Sequence, residues 1–410
     1  MGGLLERLGE SVYPIRIDLD ADGARLLQLA RGRSGLRVVA LAEISGASLA
    51  KDGSEKPDAQ SGEGSLDALL RAISRRVGNA GFRGRECVVS VDDRWLRTRS
   101  VRQTQMPDSE CDKAVRLDGA QRLGFSPDES VEIGWLRAGE VMQGDDVRDE
   151  LIYLGAQSER LNSVGMGLAM GGLRPVAMEP SFIAIARCMG RTLRRKQDEQ
   201  VVRAVIEIGR TMTRVLITRG WRVGLYRTIE VGGEMMTRHA AERLGLEPET
   251  IEDLRRQRMY RTVGGDVTID DKVDRAIFDA VRPLMGDLAH EITLCLRHYT
   301  VTFRGSRPMK CVIIGSESLE PRLEEVVGGA VHLPTVLGHP FKGVTLPENA
   351  RQLDRCGVLA GWSVAGGLSL QPTDKRVSGR AKGLRRGVSE CETELEVGQD
   401  APQEIRREAA

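Results

Sequence analysis

The chain has 410 residues, of which 40% are apolar and 29% are charged, and its formal net charge is +1. This composition is that of a soluble globular protein, and the length exceeds what one hydrophobic core normally organises, so two or more domains are expected. The near-neutral charge and the 4% of aromatic residues argue against a nucleic-acid-binding protein, which needs a basic field or stacking platforms.

Cysteine usage and hydropathy indicate a cytoplasmic protein. The seven cysteines are widely spaced and none forms a C-x-x-C pair, so we expect reduced thiols rather than disulfides or a zinc site. No run of 18 apolar residues occurs, and the first ten residues lack the apolar stretch of a signal peptide.

The first half of the chain predicts an α/β unit that opens with a β-meander. Alternating apolar and polar residues predict three strands, at 12–19, 25–29 and 37–44. The polar segment 50–64 predicts a mobile surface loop, after which Ser65 caps a helix with an apolar stripe. The segments predicted to follow are strands at 86–91, 96–102, 131–136, 151–156 and 175–178, and helices at 108–123, 159–170 and from residue 180.

The second half opens with a similar succession of three short strands. The predicted strands lie at 204–208, 214–218, 224–231 and 312–314, and the predicted helices at 234–244, 272–299, 319–327 and 351–365. Beyond Pro372 a basic block (375–386) precedes an acidic block (390–400), with almost no apolar residues. This composition predicts a disordered tail.

One short pattern occurs in both halves. Asp18 ends an apolar strand, Arg25 stands seven residues later, and two apolar residues follow; Glu207 and Arg214 repeat this arrangement. Two interpretations are open. The hairpins are unrelated, or the fold is duplicated and its two hairpins face each other across a cleft that suits a nucleotide, with backbone N–H groups toward phosphates and acids holding Mg²⁺ through water.

At these residues the chain resembles the actin-like ATPase superfamily, and within it the pilus assembly protein PilM and the division protein FtsA. The motifs that carry the resemblance are a first phosphate loop at 16–29, a second at 206–213, a G-G-x-x-x-T helix start at 232–237, an adenosine-type motif at 311–319, the end of an inserted subdomain with its return strand at 151–182, and an N-P-F-like segment at 339–341.

This resemblance implies an α/β fold of duplicated RNase H-like lobes. The first lobe is expected to comprise residues 12–102 plus 173–200, and an inserted 1C-type α/β subdomain is expected at 103–172. The second lobe is expected at 201–371, and the disordered tail at 372–410.

The resemblance also implies a site for ATP and Mg²⁺. The residues that match the family's motifs are Asp18, Asp20, Glu207, Gly209, Gly232, Gly233, Gly315 and Ser316, with Mg²⁺ near Asp18 and Glu207; no catalytic residue is assigned. Asp20 and Ser316 stand where the family has glycine, and Glu207 where it has aspartate. Since extra carboxylates repel a triphosphate, weak ATP binding and little hydrolysis are expected.

Other interpretations of the first acids are a Ca²⁺ loop and plain solvated acids. Asp18, Asp20, Asp22 and Gly23 match the start of an EF-hand loop, but Leu29 stands where its glutamate should be and the preceding segment predicts a strand.

At the level of function, the resemblance implies a scaffold at the inner face of the inner membrane. Its expected partner is the cytoplasmic segment of a bitopic PilN-like inner-membrane protein, with membrane contact only through partners and no nucleic acid. Self-association and the choice between a pilus and a type II secretion-like machine are left open. The alternative function is an active ATPase or sugar-kinase-like phosphotransferase of the same fold.

Overall fold

The computed structural model describes residues 11–370, except 21–22, 34, 46–61, 192, 194, 221, 263, 265, 305–306, 348–349 and 351–358. The predicted disordered tail and most of the predicted loop at 50–64 lie outside the described residues. The last three residues of that predicted loop are helical instead, because the first helix begins at Gly62. A helix can begin within this polar segment because water can accept hydrogen bonds from the backbone N–H groups of its first turn.

The first sheet has six strands: β1 (Ser11–Val12), β2 (Ile15–Asp20), β3 (Gly23–Gly32), β4 (Gly35–Ser45), β5 (Glu86–Val91) and β9 (Arg174–Pro180). β1 and β2 follow one another along the same side of β3, and β4 pairs with β3; these pairings are antiparallel, whereas β5 is parallel to both β2 and β9. Helices α1 (Gly62–Asn79) and α4 (Ser181–Gly190) belong to the same half of the chain.

The second sheet has five strands: β10 (Val202–Ile208), β11 (Thr213–Arg219), β12 (Arg222–Ile229), β13 (Cys311–Ile314) and β14 (Thr335–Leu337). Helices α5 (Gly233–Leu244), α6 (Pro248–Thr262), α7 (Asp271–Thr302) and α8 (Leu323–Val331) accompany it. Its order, β12-β11-β10-β13-β14, repeats the order β4-β3-β2-β5-β9 of the first sheet, with antiparallel meanders and parallel outer strands in both. The predicted duplication of the α/β fold is therefore confirmed.

A smaller antiparallel sheet is inserted into the first half, between strands β5 and β9. It consists of β6 (Arg97–Thr104), β7 (Val131–Gln143) and β8 (Asp146–Gln157), in the order β6-β8-β7, with helices α2 (Asp108–Arg122) and α3 (Ser158–Met170). It has its own apolar cluster, in which Trp135 and Tyr153 are buried with Val115 and Leu151.

The last described residues pack on the first half rather than on the second. A 3₁₀ turn at Ala360–Trp362 leads into helix α9 (Ser363–Leu368), which is fully buried and packs on α4 and on β2, β3 and β5. The lobe limits stay a prediction, and this packing associates residues 359–370 with the first sheet. Within the described part of the chain, no helix is both long enough and apolar enough to cross a membrane.

Three elements differ from the sequence-based expectations. Helix α6 and strand β14 were not predicted, and α8 begins at Leu323 rather than at residue 319. Residues 316–322 form turns instead, because Pro321 disfavours helical backbone at Glu320. Of the predicted helix at 351–365, residues 351–358 lie outside the described residues.

Candidate functional site

Each half of the fold places an acid directly opposite an arginine in its first hairpin. Asp18 on β2 is the register partner of Arg25 on β3, and Glu207 on β10 is the register partner of Arg214 on β11. Directly opposed side chains in an antiparallel pair lie within reach of each other. The repeated sequence pattern therefore corresponds to a repeated acid–arginine pair.

The two hairpins face each other across one cleft. Burial raises the pKa of Asp18 to about 7; Arg25 and Arg214 act in the opposite direction, and Asp20 and Glu207 raise it further. Because Asp18 is in electrostatic contact with Glu207 and Arg214, both predicted Mg²⁺ ligands lie at the same site. Ser90 donates a hydrogen bond to Asp18, with Oγ and Oδ1 3.1 Å apart.

Arg25 neutralises the acids of the first hairpin. It is close to Asp18, Asp20 and Glu207, and its Nε donates to Glu43 at 3.1 Å. Its Nη1 lies 3.9 Å from the Asp20 carboxylate. Asp20 is thus adjacent to a guanidinium group that belongs to the same hairpin.

Asp93, which the sequence analysis did not single out, is the centre of the cleft. It accepts hydrogen bonds from Arg214 Nε, from Tyr226 Oη at 2.9 Å, and from Ser181 Oγ at 2.8 and 2.6 Å. The Arg214 side chain also donates to Glu207 through Nη1. Asp93 lies two residues after the end of buried strand β5, and an acid at the carboxyl end of a parallel strand is the signal that could have identified it.

Three of the glycines predicted to bind a nucleotide use their backbone N–H groups within the chain. Gly209 donates to the carbonyl of Met212 at 3.0 Å, Gly233 to that of Gly209 at 3.1 Å, and Gly315 to that of Ala360 at 3.0 Å. Gly315 has a φ of +107°, and a Cβ there would lie 2.2 Å from the Ile208 carbonyl oxygen. These glycines allow close approach of the chain to itself.

Gly232 and Ser316 also lie against protein backbone. A Cβ on Gly232 would lie 2.4 Å from the carbonyl oxygen of Arg210, and one on Gly361 would lie 3.3 Å from Cα of Ser316. Gly209 connects the glycines to the acids, because a Cβ there would lie 3.9 Å from a Glu207 carboxylate oxygen. The predicted site residues are thus brought together around one cleft.

A carboxylate of the chain covers the amino end of α5, where the predicted nucleotide-binding residue Gly233 lies. A Cβ on Gly233 would lie 2.2 Å from Cδ of Glu317. Buried Arg255 holds Glu317 through Nη2 at 2.8 Å and donates through Nη1 to the carbonyl of Gly233 at 2.8 Å. Glu320 is its second acidic partner, with Nε and Oε2 3.0 Å apart. Since a helix N-terminus favours an anion, the Glu317 carboxylate takes the place expected for a phosphate.

These groups match ATP and Mg²⁺ poorly as they stand. Of the acids proposed for Mg²⁺, Glu207 is paired with Arg214 and Asp18 is a buried carboxyl whose pKa is raised to about 7, and Glu317 fills the space in front of Gly233. Across the described residues, no group of three or more His, Cys, Asp and Glu side chains is arranged to hold a metal ion. The EF-hand alternative is wrong, because Asp18 and Asp20 lie within β2 and Leu29 is buried on β3; Asp22 lies outside the described residues.

Comparison with known proteins gives the family and the fold. The sequence matches the family described as type IV pilus assembly protein PilM over residues 16–373. Among solved structures, a PilM–PilN type IV pilus biogenesis complex is similar with a TM-score of 0.68 and 21% identity, covering 87% of this chain and 97% of that chain. The fold is the mixed α/β, actin-like fold predicted from the sequence.

Two further solved structures are similar at lower scores. The ethanolamine utilization protein EutJ from Carboxydothermus hydrogenoformans has a TM-score of 0.47 and 12% identity, covering 88% of this chain and 89% of that chain. MreB5 of Spiroplasma citri, bound to AMPPNP, has a TM-score of 0.44 and 12% identity, covering 94% and 99%. The family match spans most of the chain, and the protein therefore belongs to the PilM family of type IV pilus assembly proteins.

Proposed function

We propose that this protein is a cytoplasmic scaffold of a type IV pilus or related type II secretion-like assembly machine. It binds the cytoplasmic segment of a bitopic PilN-like inner-membrane protein, which holds it at the inner face of the membrane. Family membership supports the assembly role. The similar solved structure is a complex of PilM with PilN, which supports a partner of that kind here.

The position of the Glu317 carboxylate at the amino end of α5 is the observation that favours a scaffold function over an enzymatic one. Arg255 holds this carboxylate, and only 13% of the Glu317 side chain is exposed. A phosphate group bound at Gly233 must displace Glu317 or share the helix end with it, and two anions a few ångströms apart in a partly buried site repel by several kcal/mol. ATP binding is therefore weak, and the cleft is held together by the protein's own charges.

One observation favours the alternative function, an active ATPase or sugar-kinase-like phosphotransferase. Asp18 is a buried carboxylate whose pKa is raised to about 7 by burial, and such a group suits general base catalysis. Glu207 and Asp93 are both bound to Arg214, so neither is available to orient a nucleophile without breaking that pair. The scaffold is the function that the geometry supports better.

The test is a parallel measurement of partner binding and nucleotide chemistry. The full chain is titrated in a calorimeter with a synthetic peptide of the cytoplasmic segment of the PilN-like protein from the same organism, and separately with ATP and Mg²⁺. We expect specific peptide binding, weak ATP binding and phosphate release near the rate without protein. Absence of peptide binding together with rapid phosphate release would establish the enzyme alternative instead.

A further inference from the structure

The end of the first sheet that lies away from the cleft is strongly cationic. β2, β5 and β9 all begin there, because Ile15 pairs with Cys87 and Glu86 pairs with Arg174. The β3–β4 turn and the carboxyl end of α1 lie at the same end, because Gln28 on β3 exchanges hydrogen bonds of 2.6 and 2.7 Å with the backbone of residue 83, just after α1. The described parts of segments 27–39, 71–86 and 166–176 form this end, which we call the basal patch.

The basal patch has a large excess of arginine. Its only acid is Glu86, and its nine arginines are Arg31, Arg33, Arg37, Arg71, Arg75, Arg76, Arg83, Arg85 and Arg174. All of these except Arg37 are exposed. Glu86 forms an ion pair with Arg174, and Arg37, Arg75 and Arg83 make further interactions. Nine arginines and one acid give the described residues of the patch a formal charge of +8, in a chain whose formal net charge is +1. Five strands across, it is roughly 20 Å wide.

Apolar side chains protrude at one edge of this cationic end. Met170, the last residue of α3, is 90% exposed, and Met166 one turn earlier is 51% exposed. Val176 on edge strand β9 is 37% exposed. It lies at a β-bulge of this strand, and Met178 farther along the strand contacts α3, since its Cε would be 3.6 Å from a Cβ on Gly165. Two exposed methionines of α3 and an exposed valine of β9, the strand on which α3 packs, therefore lie at this end of the sheet.

The apolar edge is rigidly positioned against the cationic side chains. A Cβ on Gly171 would lie 1.9 Å from Oγ of Ser74, and one on Gly167 would lie 2.5 Å from Leu70 Cδ1, so α3 packs closely on α1. Arg85 donates through Nη1 to the carbonyl of Gly172 at 2.9 Å. Met170 is thus held at a fixed position next to the arginines of the basal patch.

We propose that the basal patch binds the anionic surface of a lipid bilayer directly, with arginines on the headgroups and Met170 in the interface. Exposed apolar side chains beside a basic surface are the combination that binds anionic membranes. A nucleic acid is a poorer match, since the exposed side chains beside the arginines are aliphatic and offer bases no stacking surface. An acidic protein is a poorer match because its carboxylates would pair with the arginines alone, whereas the exposed Met170 and Met166 favour an apolar environment.

This inference rests on the proposed function in one respect: the PilN-like partner is what brings the lobe to the membrane. The lipid contact adds to the partner-mediated attachment expected from the sequence. It orients the protein with the basal patch on the bilayer and the cleft, at the opposite end of the first sheet, away from it.

The test is co-sedimentation of the full chain with vesicles, without any partner. One set contains phosphatidylglycerol and phosphatidylcholine in equal amounts, and the other phosphatidylcholine alone. We expect salt-sensitive binding to the anionic vesicles only. The triple variant Arg31→Gln, Arg71→Gln, Arg76→Gln should weaken it roughly 100-fold, since each arginine near an anionic surface contributes about a factor of five. Met170→Ser should weaken it about tenfold.

The matched control neutralises three exposed arginines of the second half, with Arg238→Gln, Arg243→Gln and Arg282→Gln. All proteins keep the basic block 375–386, so a difference in vesicle binding between the two triple variants must arise from the basal patch. Equal vesicle binding by both triple variants overturns the proposal, as does vesicle binding that does not depend on phosphatidylglycerol, or binding to duplex DNA without binding to vesicles.

The same proteins are titrated with the synthetic peptide of the cytoplasmic segment of the PilN-like partner. Peptide binding without vesicle binding contradicts the basal patch and leaves the scaffold function in place. Vesicle binding without peptide binding contradicts the scaffold function and supports the patch.

Discussion

Asp93 in the first half of the fold and Arg214 in the second form a buried ion pair that joins the two halves across the cleft. The Asp93 side chain is 1% exposed and that of Arg214 is 9% exposed. Although burial lowers it, Asp93 and Glu207 raise the pKa of Arg214 well above its ordinary value. The arginine is therefore a permanent cation whose charge is balanced by one acid from each half.

Removing this cation should destabilise the protein strongly. Arg214→Met leaves Asp93 and Glu207 buried without their common partner, and breaking a buried pair from one side typically costs about 3–5 kcal/mol. We expect a loss of that size in the free energy of unfolding from urea denaturation. Arg222→Met, at an exposed position of the adjacent strand, is the control and should change stability by less than about 1 kcal/mol. Equal losses in the two variants would contradict the role given to Arg214.

The stability of the protein should decrease as the pH rises toward neutrality, through Asp18. Burial raises the pKa of Asp18 to about 7 in the folded protein, against about 4 in an unfolded chain. Between these values the folded state binds the proton more tightly. Asp18 therefore contributes its full stabilisation below about pH 4, and this stabilisation is lost as the pH rises through 7. The loss in the free energy of unfolding is about 4 kcal/mol at most.

Asp18→Asn should remove that part of the pH dependence. The measurement is the free energy of unfolding in urea at pH 5 and pH 8, for the parent protein and for the variant. The exposed Asp287→Asn is the matched control and should retain the parent's slope. If Asp18→Asn retains it as well, Asp18 is not the titrating group.

The repeated pattern was the part of the site that the sequence could predict. The spacing of seven between Asp18 and Arg25, and between Glu207 and Arg214, is what a tight antiparallel hairpin needs to oppose the two residues. Each acid and its arginine belong to one hairpin, so the pairing depends only on residues that are close in sequence. The duplicated order of the two sheets follows from the same pattern, because each hairpin begins a meander that a parallel strand extends.

The rest of the site depends on contacts between distant segments. Asp93 contacts Ser181 and Tyr226, which are 88 and 133 residues away, and Glu317 reaches Gly233 through the packing of Arg255 from α6. Helix α6 itself has no clear apolar stripe, since it buries Arg255 and Arg258 beside Ile251 and Met259. Arg255 and Arg258 are buried because Glu320 pairs with both of them. No local sequence pattern indicates such a pairing.

The crossing of α9 with α4 should not tolerate a single added methyl group. A Cβ on Gly367 would lie 1.8 Å from the Ala184 carbonyl oxygen, so Gly367→Ala must separate the two helices. We expect a loss of about 1–3 kcal/mol or more in the free energy of unfolding. Gly286→Ala is the matched control, because a Cβ there would meet no described atom within 4 Å other than the backbone of its own helix. It should stabilise α7 by about 0.5–1 kcal/mol, and a Gly367→Ala protein as stable as this control would refute the close crossing.

Removing Glu317 should tighten ATP binding, since its carboxylate occupies the helix end that a phosphate would use. Glu317→Ala frees the amino end of α5 and one nitrogen of Arg255, which keeps Glu320, Thr237 and the Gly233 carbonyl as partners. We expect tighter ATP binding by about 1–3 kcal/mol in calorimetry, the scale of one like-charge contact in a partly wet site.

Asp20→Gly should act in the same direction through the first hairpin, because it removes a second anion from the expected phosphate position; its carboxylate lies 3.9 Å from Arg25 Nη1. Glu325→Ala, at an exposed position of α8, is the control and should bind ATP as the parent protein does. Gly233→Val, combined with Glu317→Ala, should abolish the gained affinity, since a branched side chain then fills the space that Glu317 has vacated. Partner-peptide binding should be unchanged in every one of these variants. If neither Glu317→Ala nor Asp20→Gly tightens ATP binding, the carboxylates of the cleft do not limit the nucleotide, and the weak binding must have another cause.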